Sequence, residues 1–171
     1  MEITSAVVYK PQLQTALEKK TVDVFCRNLK KRSGVSLLQS KTSGKINIEF
    51  YKEDSCSEEV KALFDGITVP GKEGFRIRVI DNPDGSGRIV VLGKDERGEF
   101  YGMARLLRKA IVKKDSIEIP DELDSLSMTP QYPLRGHQLG YRDKNNTYGA
   151  WSKKEFEAYI CLLYTSDAAD D

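Results

Sequence analysis

The stretch GFRIRVIDNPDGSGRIVVLGKDERGEFYGMARLLRKA, from Gly74 to Ala110, limits the possible folds of this chain more than any other. Phe75, Ile77 and Val79 alternate with Arg76 and Arg78, a period of two that puts apolar side chains on one face of a strand. Asn82-Pro83 and Asp84-Gly85 then predict a tight reversal, because proline fixes one backbone angle and glycine admits positive φ. Arg88 to Leu92 is the expected return strand. Its unbroken apolar run, Ile89 to Leu92, suits an inner strand covered on both faces. After Gly93 the period changes. Phe100, Met103, Ala104, Leu107 and Ala110 recur at helical spacing, with Gly102 inside the stripe where helix and sheet backbones approach closely.

The flanking segments extend this unit. Ala6 to Tyr9 is a short β-type run, and a helix follows that starts near Pro11 or at the Thr15-x-x-Glu18 capping box. Its apolar stripe includes Leu17, Val22, Phe25, Cys26 and Leu29. It ends in Lys30, Lys31 and Arg32, with Gly34 expected as the C-cap. Those three cations could bind phosphate; the reading preferred here is a solvated helix end that favours positive charge. Lys45 to Tyr51 alternates as a half-buried strand. Ser57 starts a short helix with Val60, Leu63 and Phe64 inward, closed by Asp65-Gly66. The expected architecture is α+β, with helices packed on a sheet of about four strands. Residues 1–112 form this domain and 113–133, rich in Asp, Ser and Pro, a linker.

Leu134 to Tyr141 reads as a new strand and Asp143 to Gly149 as a polar loop. The Ser152-x-x-Glu155 capping box, with Trp151 and Phe156 in the positions of a hydrophobic staple, predicts a helix from Lys153. One β/α unit cannot bury itself, so residues 134–160 are expected to be the first unit of a truncated (β/α)8 barrel.

Composition excludes several classes. The 27 Lys and Arg nearly cancel the 26 Asp and Glu, so no global field favours nucleic acid or an anionic membrane. No apolar run reaches the ~18 residues of a membrane span, so no membrane insertion is expected. MEITSAVVYK lacks the pattern of a secretory signal, which leaves the compartment open. Three scattered cysteines and one histidine give no metal or disulfide framework, and GKDERG matches neither phosphate-loop pattern, so no cofactor is expected.

The GFRIRVI strand, the strand and helix of IVVLGKDERGEFYGMARLL, and a connector ending in PLRG together resemble the non-catalytic second domain of β-N-acetylhexosaminidases and the similar N-terminal domain of α-glucuronidases. The resemblance covers most of Ala6 to Ile160. It implies a glycoside hydrolase acting on an oligosaccharide or glycan, secreted or periplasmic as a whole, with the α+β domain as accessory to a barrel. Arg135 matches the arginine that opens the first barrel strand in hexosaminidases and binds sugar hydroxyls. Tyr141 and Arg142 are expected beside it at the strand's C-terminal end; Tyr148 and Trp151 could extend that rim, but the reading preferred for Trp151 is the staple. An acidic residue commonly follows in that family, whereas this chain has Gly140, Tyr141 and Arg142. His137 is expected to be structural. The catalytic carboxylates are expected downstream, since Asp95-Glu96 and Asp121-Glu122 are adjacent pairs that cannot flank one glycosidic bond. The alternative is a non-catalytic carbohydrate-binding or protein-interaction module. The tail CLLYTSDAADD, Cys161 to Asp171, resembles a translated sequencing adapter, which would make Ile160 the last authentic residue.

Overall fold

The structure is a computed structural model and describes residues 1–9, 15–133 and 152–155. The chain divides into two units, Met1–Thr129 and Pro130–Asp171.

The first unit is α+β. Its main sheet contains β2 (Ser5–Tyr9), β3 (Ser36–Ser40), β4 (Ile46–Lys52), β5 (Phe75–Asp81), β6 (Gly87–Gly93) and β9 (Leu126–Met128), in the order β3-β2-β4-β6-β5-β9. The β3-β2, β2-β4 and β4-β6 pairs are parallel, and β5 runs antiparallel to both β6 and β9. A second sheet joins β1 (Glu2–Ile3), β8 (Ile117–Glu118) and β7 (Ile111–Val112). The sheet of about four strands expected from periodicity is therefore six strands plus three. The additional strands are short or lie at an edge, where pairing rather than side-chain alternation defines them.

Helices α1 (Ala16–Arg32) and α3 (Glu96–Lys109) cover one face of the main sheet. Val22, Phe25 and Leu29 of α1 and Met103, Leu106 and Leu107 of α3 share one core with Val8, Ile48, Phe50, Ile77, Ile89 and Val91. Phe25 meets Phe50 edge to face at 5.2 Å between centroids. Helix α2 (Glu58–Ala62) and its following turn bring Val60 and Phe64 to a second cluster with Val90 and Leu92. The apolar run of β6 thus alternates between two cores, as an inner strand covered on both sides requires.

Turn and cap chemistry follows the sequence closely. In the β5–β6 hairpin, Asn82 N–H donates to Ser86 O at 2.9 Å, and Gly85 takes φ +74°. The Asp84 carboxylate accepts from the Ser86 hydroxyl and N–H, which lowers its pKa. Helix α1 starts at the Thr15 capping box: Glu18 N–H donates to Thr15 Oγ1 at 3.1 Å, and Thr15 N–H to Glu18 Oε2 at 2.9 Å. The C-cap differs from expectation. Ser33 occupies it in extended conformation, and Gly34 is required for another reason. Its N–H donates to Lys114 O at 2.7 Å, and a Cβ there would lie 2.9 Å from that oxygen. Of the three cations before it, Arg32 donates to Leu107 O at 2.9 Å and so caps the end of α3.

Residues 113–133, expected as a linker, supply β8, a 3-10 turn at Asp121–Leu123, and β9. Ile117, Ile119 and Leu123 are buried in the main core. Most of the polar residues of the segment lie at its exposed or half-exposed positions, with Ser116 buried. In the second unit, Ser152 and Glu155 form the expected capping box, with Glu155 N–H donating to Ser152 Oγ at 3.3 Å and Ser152 N–H to Glu155 Oε2 at 2.7 Å.

Candidate functional site

Besides separate surface ion pairs such as Arg97–Glu73 and Lys113–Glu118, the charged side chains of the first unit form two constellations and line one cleft. The first constellation lies where β4 and β6 end. Glu53 accepts from Arg76 Nη2 at 2.8 Å and from Lys94 Nζ at 2.6 Å, and the Arg76 guanidinium sits 5.2 Å from the centre of the Phe64 ring. Nearby, Lys52 Nζ is 3.4 Å from the buried Glu18 carboxylate. Burial opposes the Lys52 ammonium, but the Glu18 and Asp54 carboxylates outweigh it and raise the pKa. A lysine held charged is neither nucleophile nor base.

The second constellation is on the sheet face opposite α1 and α3. Glu49 was expected on the solvated side of a half-buried strand, yet it is 3% exposed. It accepts from Arg88 Nε at 2.8 Å and Nη2 at 2.9 Å and from the Tyr51 hydroxyl at 3.0 Å. The guanidinium fork is what makes burial of this carboxylate tolerable. Burial, with Glu49 alongside, pushes the Tyr51 phenol far up, and the hydrogen bond to Glu49 raises the Arg88 pKa. With three donors engaged, Glu49 anchors the sheet face.

Three of the four residues in the adjacent acidic pairs, Asp95, Glu96 and Glu122, have structural partners. Asp95 caps α3 by accepting from Gly98 N–H at 2.9 Å and also accepts from Glu73 N–H at 2.8 Å. Glu96 accepts from Thr15 Oγ1 at 2.6 Å. Glu122 of the 3-10 turn lies 3.4 Å from Lys109 Nζ. Among the described residues, no group of three His, Cys, Asp or Glu side chains could hold a metal ion, and no helix is long and apolar enough to cross a membrane.

Cys26 and Cys56 are free thiols, each only partly exposed. Burial, reinforced by Asp23, pushes the Cys26 thiol up to about 11. Only the thiolate attacks, so alkylation of Cys26 by iodoacetamide at neutral pH is expected to run on the order of 100-fold slower than for an unperturbed cysteine. Peptide mass spectrometry of the native chain measures this directly. A rate equal to that of the unfolded chain would show that the α1–β3 packing around Cys26 does not hold.

The cleft, about 590 Å³, lies between the turn after α2 and the turn that leads into β9. Arg78 of β5 is among the residues that line it. Arg78 Nη1 donates to Asp124 Oδ2 at 3.1 Å and to the Ser125 hydroxyl, while Asp124 Oδ1 accepts from Val79 N–H at 2.8 Å. Ser127 Oγ donates to Thr68 O at 2.7 Å and ties the two walls together. Ser125 takes φ +56°, a left-handed conformation uncommon for a residue with a side chain. No sequence signal marks this cleft. It is made by the β5–β9 pairing, which sets Ile77 opposite Leu126 and Phe75 opposite Met128 across a long stretch of chain.

The site residues expected from sequence, Arg135, Tyr141 and Arg142, lie outside the described residues, as do His137, Tyr148 and Trp151.

No family model matches the sequence, and no curated protein matches it. Among solved structures the chain is similar to a family GH115 4-O-methyl-α-glucuronidase described as having specificity for decorated arabinogalactans. The likeness has a TM-score of 0.49 and 17% identity over 70% of this chain, and spans 17% of that glucuronidase.

Proposed function

We propose that this chain carries the accessory α+β domain of a glycoside hydrolase, β-N-acetylhexosaminidase-like or α-glucuronidase-like, followed by the start of its (β/α)8 catalytic barrel. One observation carries the reading: the ordered resemblance of GFRIRVI, IVVLGKDERGEFYGMARLL and PLRG to those domains. The glycines within the second segment are supported by packing. A Cβ on Gly93 would lie 2.0 Å from Glu99 N, one on Gly98 2.1 Å from Gly74 O, and one on Gly102 2.5 Å from Val91 Cγ1. The segment is thus a close-packed strand-to-helix joint in which these glycines are required.

In this reading Arg135 binds sugar hydroxyls through its planar set of donors, with Tyr141 and Arg142 beside it. Hydrolysis belongs to carboxylates further along the parent protein. A hexosaminidase-like parent uses an Asp-Glu pair with participation of the substrate's acetamido group. An α-glucuronidase-like parent uses two carboxylates and inverts the anomeric centre.

The test is the parent gene's coding sequence from codon 160 onward, read from genomic DNA, followed by assay of the full-length protein. Successive β/α repeats with carboxylates at strand ends, and activity on an N-acetylglucosaminide or a glucuronosyl-decorated glycan, are expected. The 171-residue chain should hydrolyse neither. In the full-length enzyme, Arg135→Ala is expected to lower kcat/KM by about 100-fold, the scale of losing a charged hydrogen-bonding group at a sugar. A continuation without barrel repeats would remove the proposal.

A further inference from the structure

We infer that Asp65 is a site of spontaneous main-chain modification, cyclising with Gly66 to a succinimide that reopens as isoaspartate, while Asp84, in the same Asp-Gly dipeptide, is held back. This does not rest on the hydrolase reading, because both turns belong to the unit Met1–Thr129.

The reaction consumes nothing but the chain and water. The backbone nitrogen of Gly66 attacks Cγ of the Asp65 side chain, a C–N bond forms, and the carboxyl hydroxyl leaves with the amide proton as water. Water then adds to one of the two ring carbonyls. Opening at one restores Asp65; opening at the other routes the main chain through the side-chain carbons and leaves a free α-carboxylate. Glycine is the neighbour that allows the closest attack, since it has no side chain to shield the nitrogen. The dipeptide occurs at 65–66 and again at 84–85, so the fold decides between them.

At the first position nothing holds the reacting groups. Asp65 and Gly66 are the central residues of the turn after α2, closed by Ile67 N–H donating to Phe64 O at 3.0 Å. The Gly66 N–H lies in the middle peptide of that turn and donates to no group among the described residues. The Asp65 carboxylate has no hydrogen bond or ion pair among them either, and both residues are exposed. A Cβ on Gly66 would meet nothing within 4 Å, so the side chain has room to close the ring.

At the second position each participant is occupied. Gly85 N–H donates to Asn82 O at 2.9 Å and closes the β5–β6 turn, in which Pro83 fixes the preceding φ. Asp84 Oδ1 accepts from Ser86 N–H at 2.8 Å and from Ser86 Oγ at 2.6 Å, which holds the carboxylate on Ser86. The same bonds lower its pKa and keep it ionised, the form that does not release an oxygen as water. Cyclising Asp84 therefore breaks hydrogen bonds that Asp65 never makes. The product at Asp65 lies on an exposed turn, open to a carboxyl methyltransferase that uses S-adenosylmethionine and reads isoaspartate.

The test is to age the full chain for weeks in warm, near-neutral buffer, with and without urea, and to digest samples with trypsin. Asp65 is released in the peptide Ala62–Lys72 and Asp84 in Val79–Arg88, and electron-transfer fragmentation tells isoaspartate from aspartate at each position. In the native chain isoaspartate is expected to build up at Asp65 at least about 10-fold faster than at Asp84, the factor that one ordinary hydrogen bond adds to a barrier. In urea the two rates should converge, because the dipeptide is the same. An isoaspartate-specific methyltransferase supplied with labelled S-adenosylmethionine should place its methyl group on Ala62–Lys72 of the aged native chain and leave Val79–Arg88 nearly unlabelled. Equal rates in the native chain, faster conversion at Asp84, a difference of the same size in urea, or no isoaspartate at Asp65 would each overturn the assignment.

Discussion

A chain cut after Val112 is expected not to fold. The sequence places the end of the α+β domain there, but the cut removes β8, the 3-10 turn and β9. Ile117, Ile119 and Leu123 leave the core with them, at 1%, 3% and 1% exposure. At roughly 1.5–3 kcal/mol for each large buried side chain, these three alone represent about 5–9 kcal/mol, comparable with the net stability of a whole domain. The damage extends to residues that remain. Ile3 and Glu2 lose their pairing with Ile117 and Glu118, β5 becomes a bare edge, and Val79 N–H loses the Asp124 carboxylate. Thermal unfolding of residues 1–112 and 1–133 by circular dichroism separates the possibilities. The longer piece should melt in one cooperative transition and the shorter in none. A cooperative melt of the shorter piece within a few degrees of the longer would place the boundary where the composition of the sequence suggests it.

The second large effect is expected at Gly98. Helix propensity alone favours Gly98→Ala by about 1 kcal/mol. The structure reverses the sign, because the added Cβ would lie 2.1 Å from the backbone oxygen of Gly74 and 3.0 Å from its carbonyl carbon. Backbone cannot rotate out of the way as a side chain can, so the first turn of α3 must move off the start of β5. That motion also strains the Asp95 cap, whose carboxylate joins Gly98 N–H to Glu73 N–H. A loss of about 3 kcal/mol, or a fall of roughly 10 °C in Tm, is the expected result. Gly66→Ala is the control. It has open space around it but φ +79°, and should cost only about 1 kcal/mol through the left-handed backbone. If Gly98→Ala proved neutral or stabilising, α3 would not be seated on β5 as described.

These two cases also show where the sequence is legible. The β5–β6 hairpin, the inner position of β6, the N-terminal caps of α1 and α2 and the presence of a glycine at the close approach of α3 were all written in local chemistry. Each is signalled by residues within a few positions of one another, although Gly102 itself packs against Val91 and Phe75. What could not be read depends on partners far along the chain. Strand β3 is SLLQS, with no clean alternation, and exists because β2 pairs with it. Strands β8 and β9 lie inside a stretch whose Asp, Ser and Pro content resembles a linker. Glu49 looks like any outward-facing glutamate until the Arg88 fork, from a strand beyond the next helix, closes over it. The same holds for the cleft, because Thr68, Arg78 and Ser125 share no local pattern. The proposed sugar contacts at Arg135, Tyr141 and Arg142 rest on the family resemblance and fall outside the described residues.

Strand β3 has a further consequence. Among the described residues it pairs only with β2, so one row of its backbone N–H and C=O groups has no strand beside it. The strand carries no charge along its length, and Leu38 is 63% exposed. Lys41 and Lys45 come only after the strand has ended. Proteins ordinarily guard such an edge with a lysine, a proline or a bulge within the strand itself, because an unguarded edge templates the addition of another chain. Here the guards stand at one end, and at high concentration the side of the sheet carrying β3 is where self-association would begin.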